Sequence, residues 1–212
     1  MKVWDFATRV YHWLQAIVFM LLIATGFSGN GPHVTIGLAL FTLIVWRVML
    51  GFFGSETNRF SQFVRSPIST IKYLTRKHTQ EKSTVGHNPL GGWMVVILIV
   101  GLLCQSLSGL VLAGLLDGLP LSQYWLTDSL FEIFESVHFV LARALPMLVI
   151  CHVSAVVIYK LRKKPLLKAM FTGYQASATG ATTPMFIPQT HAFLMLVAAG
   201  LVTIAIIALP MV

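Results

Sequence analysis

The sequence predicts an all-α integral membrane protein: a four-helix transmembrane bundle followed by an additional C-terminal transmembrane helix. Three observations predict it. Of the 212 residues, 56% are hydrophobic and only 10% charged, against about 25% charged in an ordinary soluble domain. The apolar residues gather into five runs, each near the ~20 residues a helix needs to cross hydrocarbon. Fourteen of the fifteen lysines and arginines fall on one side of those runs, the bias that orients membrane helices.

The first run, about Tyr11–Ser28, follows Lys2 and Arg9 as a secretory signal would. Trp4, Asp5, His12 and Trp13 crowd its front and no small-x-small cleavage site follows, so it reads as a retained helix. The turn Asn30-Gly31-Pro32 leads into the second run, Val34–Phe53. The third run is Gly92–Ala113, the fourth Ser136–Tyr159, the fifth His191–Leu209. Between the second and third lies the longest connection, Gly54–Pro89; its stretch Ser66–Arg76 mixes apolar and basic residues as a short interfacial helix does. The Gly-, Ala-, Thr- and Pro-rich stretch 172–188 reads as a linker. The expected organisation is a bundle over 1–175, a linker over 176–190 and an extra helix over 191–212.

Basic residues before the first run, after the second and after the fourth make that side cytoplasmic. The other side carries Asp117, Asp128, Glu132 and Glu135. The expected setting is a bacterial inner membrane, crossed several times, with the N-terminus in the cytoplasm. The net charge of +8 thus reads as membrane topology, not as nucleic-acid binding. Cys104 and Cys151 sit in apolar runs and read as small packing residues. No C-x-x-C-H occurs, which excludes covalent c-type haem attachment. Also absent are H-E-x-x-H, G-x-S-x-G, a phosphate loop and a dinucleotide fingerprint.

Histidines carry the chemistry. His138 and His152 stand fourteen residues apart in the fourth run. Fourteen helical residues rise ~21 Å and return to nearly the same face. Ionisable groups inside a membrane helix cost free energy and point to function. Topology sorts the rest: His12 lies at the depth of His152, and His33 at the depth of His138. Four imidazoles in two pairs, roughly 20 Å apart, suit axial ligation of two b haems, which would make this a haem-binding bundle; any one of them alone reads as a histidine that hydrogen-bonds at the interface. Arg47, fourteen residues after His33, shares its helix face at the cytoplasmic depth and suits a haem propionate. Arg143 offers the same service to the outer haem, with packing or snorkelling as its plainer reading. Gly26, Gly37 and Gly109 are small residues that leave room for a macrocycle, or for close helix packing. His87, in Gly86-His87-Asn88-Pro89, has a turn or capping reading and a quinone-site reading. His78 reads as solvated and His191 as interfacial.

The blocks VWDFATRVYHW, HVTIG, WRVMLGFFGS, RFSQFVRSP, GHNPLGGWM and LLKAMFTGY occur in order over roughly residues 3–175. Together they resemble the bacterial di-haem cytochrome b561 family, which includes the cytochrome b subunit of nickel-iron hydrogenases. The resemblance implies a four-helix bundle with two haem b groups, held by ligands on helices one, two and four. Those ligands fall on His12, His33, His138 and His152. It also implies electron exchange between a quinone (ubiquinone or menaquinone) and a redox partner, for which a periplasmic cytochrome c suits the acidic outer loop. The family often places Glu directly after its first helix-four histidine; Phe139 stands here. The fifth run is extra to the bundle, and contact with a partner, contact with a second copy in a homo-oligomer, and closure of the bundle stay open for it. Rival functions are superoxide oxidation with quinone reduction, an anchor and relay for a hydrogenase or dehydrogenase, and a haem-free metal transporter or assembly anchor.

Overall fold

A computed structural model describes residues 1–75, 86–162, 166–175 and 182–208. Five long helices among them are apolar enough to cross a membrane: α1 (Phe6–Ser28), α2 (His33–Phe53), α5 (Pro89–Leu112), α7 (Asp128–Leu161) and α9 (Gln189–Ala208). Shorter helices join them: α3 (Phe60–Phe63), α4 (Pro67–Leu74), α6 (Ser122–Trp125) and α8 (Leu166–Thr172). The five expected spans are all present, and α4 occupies the expected interfacial segment. His78 and residues 176–181 of the linker lie outside the described residues.

Local chemistry sets the helix ends. Asp5 caps α1 by accepting from Thr8 N at 2.7 Å, and Gly29 ends it at φ +66°, a left-handed conformation that glycine adopts without a Cβ penalty. Asn88 caps α5 and Thr127 caps α7. The fourth span is longer than its apolar run: α7 has 34 residues, about 51 Å, against a hydrocarbon core of about 30 Å. The extra turns begin at Asp128 and carry Asp128, Glu132 and Glu135 along one face. These turns are polar, so hydropathy gives no signal for them. Pro146 lies inside α7 and contributes no N–H to the helical ladder.

α5 packs chiefly on α7, and α2 packs on α1, α5 and α9. α9 docks through small residues: Ala199 is fully buried and Ala192 nearly so, which lets the helix backbones approach. Trp46 Nε1 donates to the Ala192 carbonyl at 2.9 Å, and the hydroxyls of Thr42 and Thr203 meet at 2.7 Å. One apolar cluster joins Ala7, Tyr11, Leu43, Trp46, Leu50, Ala192 and Ala199. A second joins Phe19, Leu40, Ile44, Leu102 and Leu145. Cys104 and Cys151 are free and exposed on their helices; the packing role expected of them is not what the structure shows. Burial follows the helix face, not the hydropathy of the residue.

The N-terminal strand-like segment clips to the end of α8. Val3 N donates to Gly173 O at 2.7 Å, the Met1 ammonium to Gln175 O at 2.7 Å, and Arg9 Nη1 to Phe171 O at 2.6 Å. Trp13 stacks on Phe171, ring centres 4.4 Å apart.

Candidate functional site: two layers of histidines

At one end of the bundle α2 and α7 bring His33 and His138 together, their ring centres 6.4 Å apart and their planes at 80°. His33 opens α2; His138 lies ten residues into α7. A Cβ added to Gly26 of α1 would stand 3.1 Å from His33 Cε1, and one added to Gly109 of α5 would stand 3.2 Å from His138 Cε1. Any larger residue at either glycine would push on an imidazole. Gly37 faces open space instead. Thr25 Oγ1 lies 2.9 Å from His33 Nδ1, Ser108 Oγ 3.1 Å from His138 Nδ1, and Gln105 Nε2 3.2 Å from His138 Nε2.

At the other end His12 of α1 and His152 of α7 are electrostatic neighbours. His12 Nδ1 is buried without a hydrogen-bond partner among the described residues, and its ring sits edge-on to Trp13 at 5.1 Å. His87 joins this layer, within electrostatic reach of His152 and Arg47. It lies between Trp4, 4.8 Å away edge-on, and Phe63, 4.6 Å away. Burial, reinforced by the Arg47 and His152 charges, holds the His87 imidazole far below its ordinary value, at about 3. A neutral ring therefore faces the layer at physiological pH. Arg47 is buried; it donates to Asn58 O at 3.3 Å and lies over the rings of Phe60 and Phe63. Arg143 is exposed on α7. His191 is exposed at the start of α9.

A buried polar knot seals the end beneath this second layer. The Asp5 carboxylate accepts from Thr8 N, Thr8 Oγ1, Ser55 Oγ and Asn58 Nδ2, and lies within electrostatic reach of Arg47. Tyr159 Oη accepts from Asn88 Nδ2 at 2.7 Å and pairs with Tyr73. That chain ties α4, α5 and α7 beside His87. Burial, then the Tyr159 bond, raises the Tyr73 phenol above its ordinary value.

Between the layers stands the second apolar cluster. Phe19, Leu40 and Leu145 follow His12, His33 and His138 by seven residues each, two helical turns along the same faces. The histidine layers are thus separated by a layer of buried aromatic and aliphatic side chains. No group of three or more His, Cys, Asp or Glu side chains that could hold a metal ion occurs among the described residues.

Sequence spacing leads to His12, His33, His138 and His152, and misses Thr25, Gln105, Ser108 and the Asp5 knot. Their signal was present. Thr25-Gly26 and Ser108-Gly109 repeat one pattern, a hydroxyl followed by the glycine that meets a histidine, on two helices. Asp5 stands three residues before Thr8 at a helix start, the spacing of a cap.

The model of the prokaryotic cytochrome b561 family matches residues 3–173. No curated protein and no solved structure matches the chain. The matched residues run from the N-terminal clip to its partner Gly173 and take in both histidine layers, while α9 follows them. With five membrane-length helices and a family match over most of its length, the chain belongs to the prokaryotic cytochrome b561 family, multi-pass membrane proteins that transfer electrons through b-type haem.

Proposed function

We propose that this chain carries electrons across a bacterial inner membrane between quinone and a periplasmic redox protein, using two haem b groups. His33 and His138 hold one and His12 and His152 the other. The observation that carries the reading is the 6.4 Å between the ring centres of His33 and His138. A spacing of that order would suit two imidazoles that share one iron between them. Gly26 and Gly109 let those two imidazoles lie close against α1 and α5.

Bound haem supplies a one-electron ferric/ferrous couple tuned by axial ligation and dielectric. The chain's residues do the rest. Four imidazoles fix two centres at opposite depths. The Phe19–Leu40–Leu145 layer excludes water between them. Arg47, buried and charged at the His12–His152 layer, suits a propionate there; Arg143 serves the other layer by reaching back from its exposed position. His87, kept neutral beside His152, offers a quinone carbonyl an imidazole that can donate a hydrogen bond without carrying charge.

Orientation follows from charge. The basic residues flanking the His12–His152 end make that end cytoplasmic, with the N-terminus inside. Asp128, Glu132 and Glu135 then project from α7 on the periplasmic side, where they favour a basic partner such as a cytochrome c and speed its encounter at low salt.

Proteoliposomes with quinol inside and oxidised cytochrome c outside test this. The expected result is external cytochrome c reduction that depends on the protein and slows with added salt. Reduction that needs quinol on the outer face, with none from inside, would overturn a transmembrane path.

A further inference from the structure

We infer that Thr25 and Ser108 are positioning residues of the outer centre: their hydroxyls hold His33 and His138 in the tautomer that leaves Nε2 bare for iron. The inference rests on the pairing of those two histidines at one iron. The argument is a count of protons. A hydroxyl has one proton to donate. Thr25 Oγ1 donates it to the Leu21 carbonyl at 2.9 Å, one turn back on α1. Ser108 Oγ donates its own to the Gln105 carbonyl at 2.9 Å. Each oxygen is left with lone pairs, so its contact with the imidazole, at 2.9 Å for His33 and 3.1 Å for His138, has the imidazole as donor. A neutral imidazole carries one N–H. With that proton on Nδ1, Nε2 holds the free lone pair that a metal takes.

The Gln105 amide lies 3.2 Å from His138 Nε2, beside the lone pair that iron would take. The same two-residue device appears on two helices: Thr25-Gly26 on α1 serves His33, and Ser108-Gly109 on α5 serves His138. In each the glycine gives the imidazole room, at 3.1 Å and 3.2 Å from an added Cβ, and the hydroxyl before it fixes the ring's rotation. The other layer lacks it: His12 Nδ1 has no hydrogen-bond partner among the described residues. A ligand that donates from its far nitrogen becomes a stronger base toward the metal, which favours the ferric state. The two centres are therefore built to be unequal.

The test is redox titration and low-spin ferric electron paramagnetic resonance of the purified haem-loaded protein, with Thr25→Val and Ser108→Ala. Each variant should shift the ferrous/ferric balance of one haem toward ferrous, by an amount on the order of tenfold, 59 mV for a one-electron couple. The resonance of that haem should move while the other stays. Both variants should move the same haem, and Thr25→Ser and Ser108→Thr, which keep a hydroxyl, should hold the parent values. No shift in either variant would overturn the inference and leave the histidine pairing standing. Shifts in different haems would overturn the pairing itself.

Discussion

Asp5 holds more of this structure than its position near the N-terminus suggests. Its carboxylate is buried, caps α1 and gathers donors from Thr8, Ser55 and Asn58. Removing it strands those donors, and stranded buried donors cost more than the bond they lose. Asp5→Ala should destabilise the protein by about 2 kcal/mol, seen as a lower midpoint in thermal unfolding in detergent. An unchanged midpoint would show that the knot is solvated. His87 gives a pH signature. Its value falls from 6.5 in the unfolded chain to about 3 when folded, so the unfolded state binds more protons between those limits. Stability is intact above pH 6.5 and declines as pH falls toward 3. Midpoints measured from pH 7 to pH 4 should drop less in His87→Gln than in the parent; equal drops would contradict the burial of the ring. The four span histidines were legible because helical rise and topology alone match their depths. Thr25, Ser108 and Gln105 were not, because a hydroxyl in a membrane helix ordinarily bonds its own backbone, and only the approach of another helix reveals a second partner.

Helix by helix, the spans were readable because each is a long apolar run, and their ends were not. α7 outruns its hydropathy signal by eight residues at Asp128, since its first turns are acidic. α3 and α6, at four residues each, are too short to show a period. The docking of α9 onto α2 was equally hidden: small residues such as Ala192 and Ala199 look alike whether they face lipid or a neighbour. The contacts there predict a measurable coupling. Trp46→Phe keeps most of the ring and loses the indole bond to the Ala192 carbonyl, which should cost about 1 kcal/mol. The layer between the histidines is more sensitive. Leu145 is fully buried against Phe19, Leu40 and Leu102, and Gly101 brings α5 so close that an added Cβ would stand 2.9 Å from its Cδ2. Leu145→Ala should cost about 2–5 kcal/mol, read in the same unfolding experiment. A loss below about 1 kcal/mol would mean that neighbouring chains collapse into the space.

Taken as one molecule, the chain is polarised. One end gathers the basic connections, the Asp5 knot, His87 and the His12–His152 layer; the other carries the acidic turns of α7 and the His33–His138 layer. A membrane-impermeant thiol reagent added outside intact cells should label a cysteine placed at exposed Tyr124 and spare one placed at exposed Ile68; the reverse pattern would invert the orientation. This polarity was open to reading in the sequence because lysine and arginine obey a charge rule that needs no tertiary structure. Which helix faces pair did not follow from that rule, since the lipid-facing and neighbour-facing sides of these spans are both apolar. Haem content is the most direct check on the electron path. A reduced-minus-oxidised visible spectrum of the purified protein, with haem counted per chain as the pyridine haemochrome, should show two haem b groups with sharp low-spin bands. One haem per chain, or none when haem is in ample supply, would contradict a two-centre wire across the membrane.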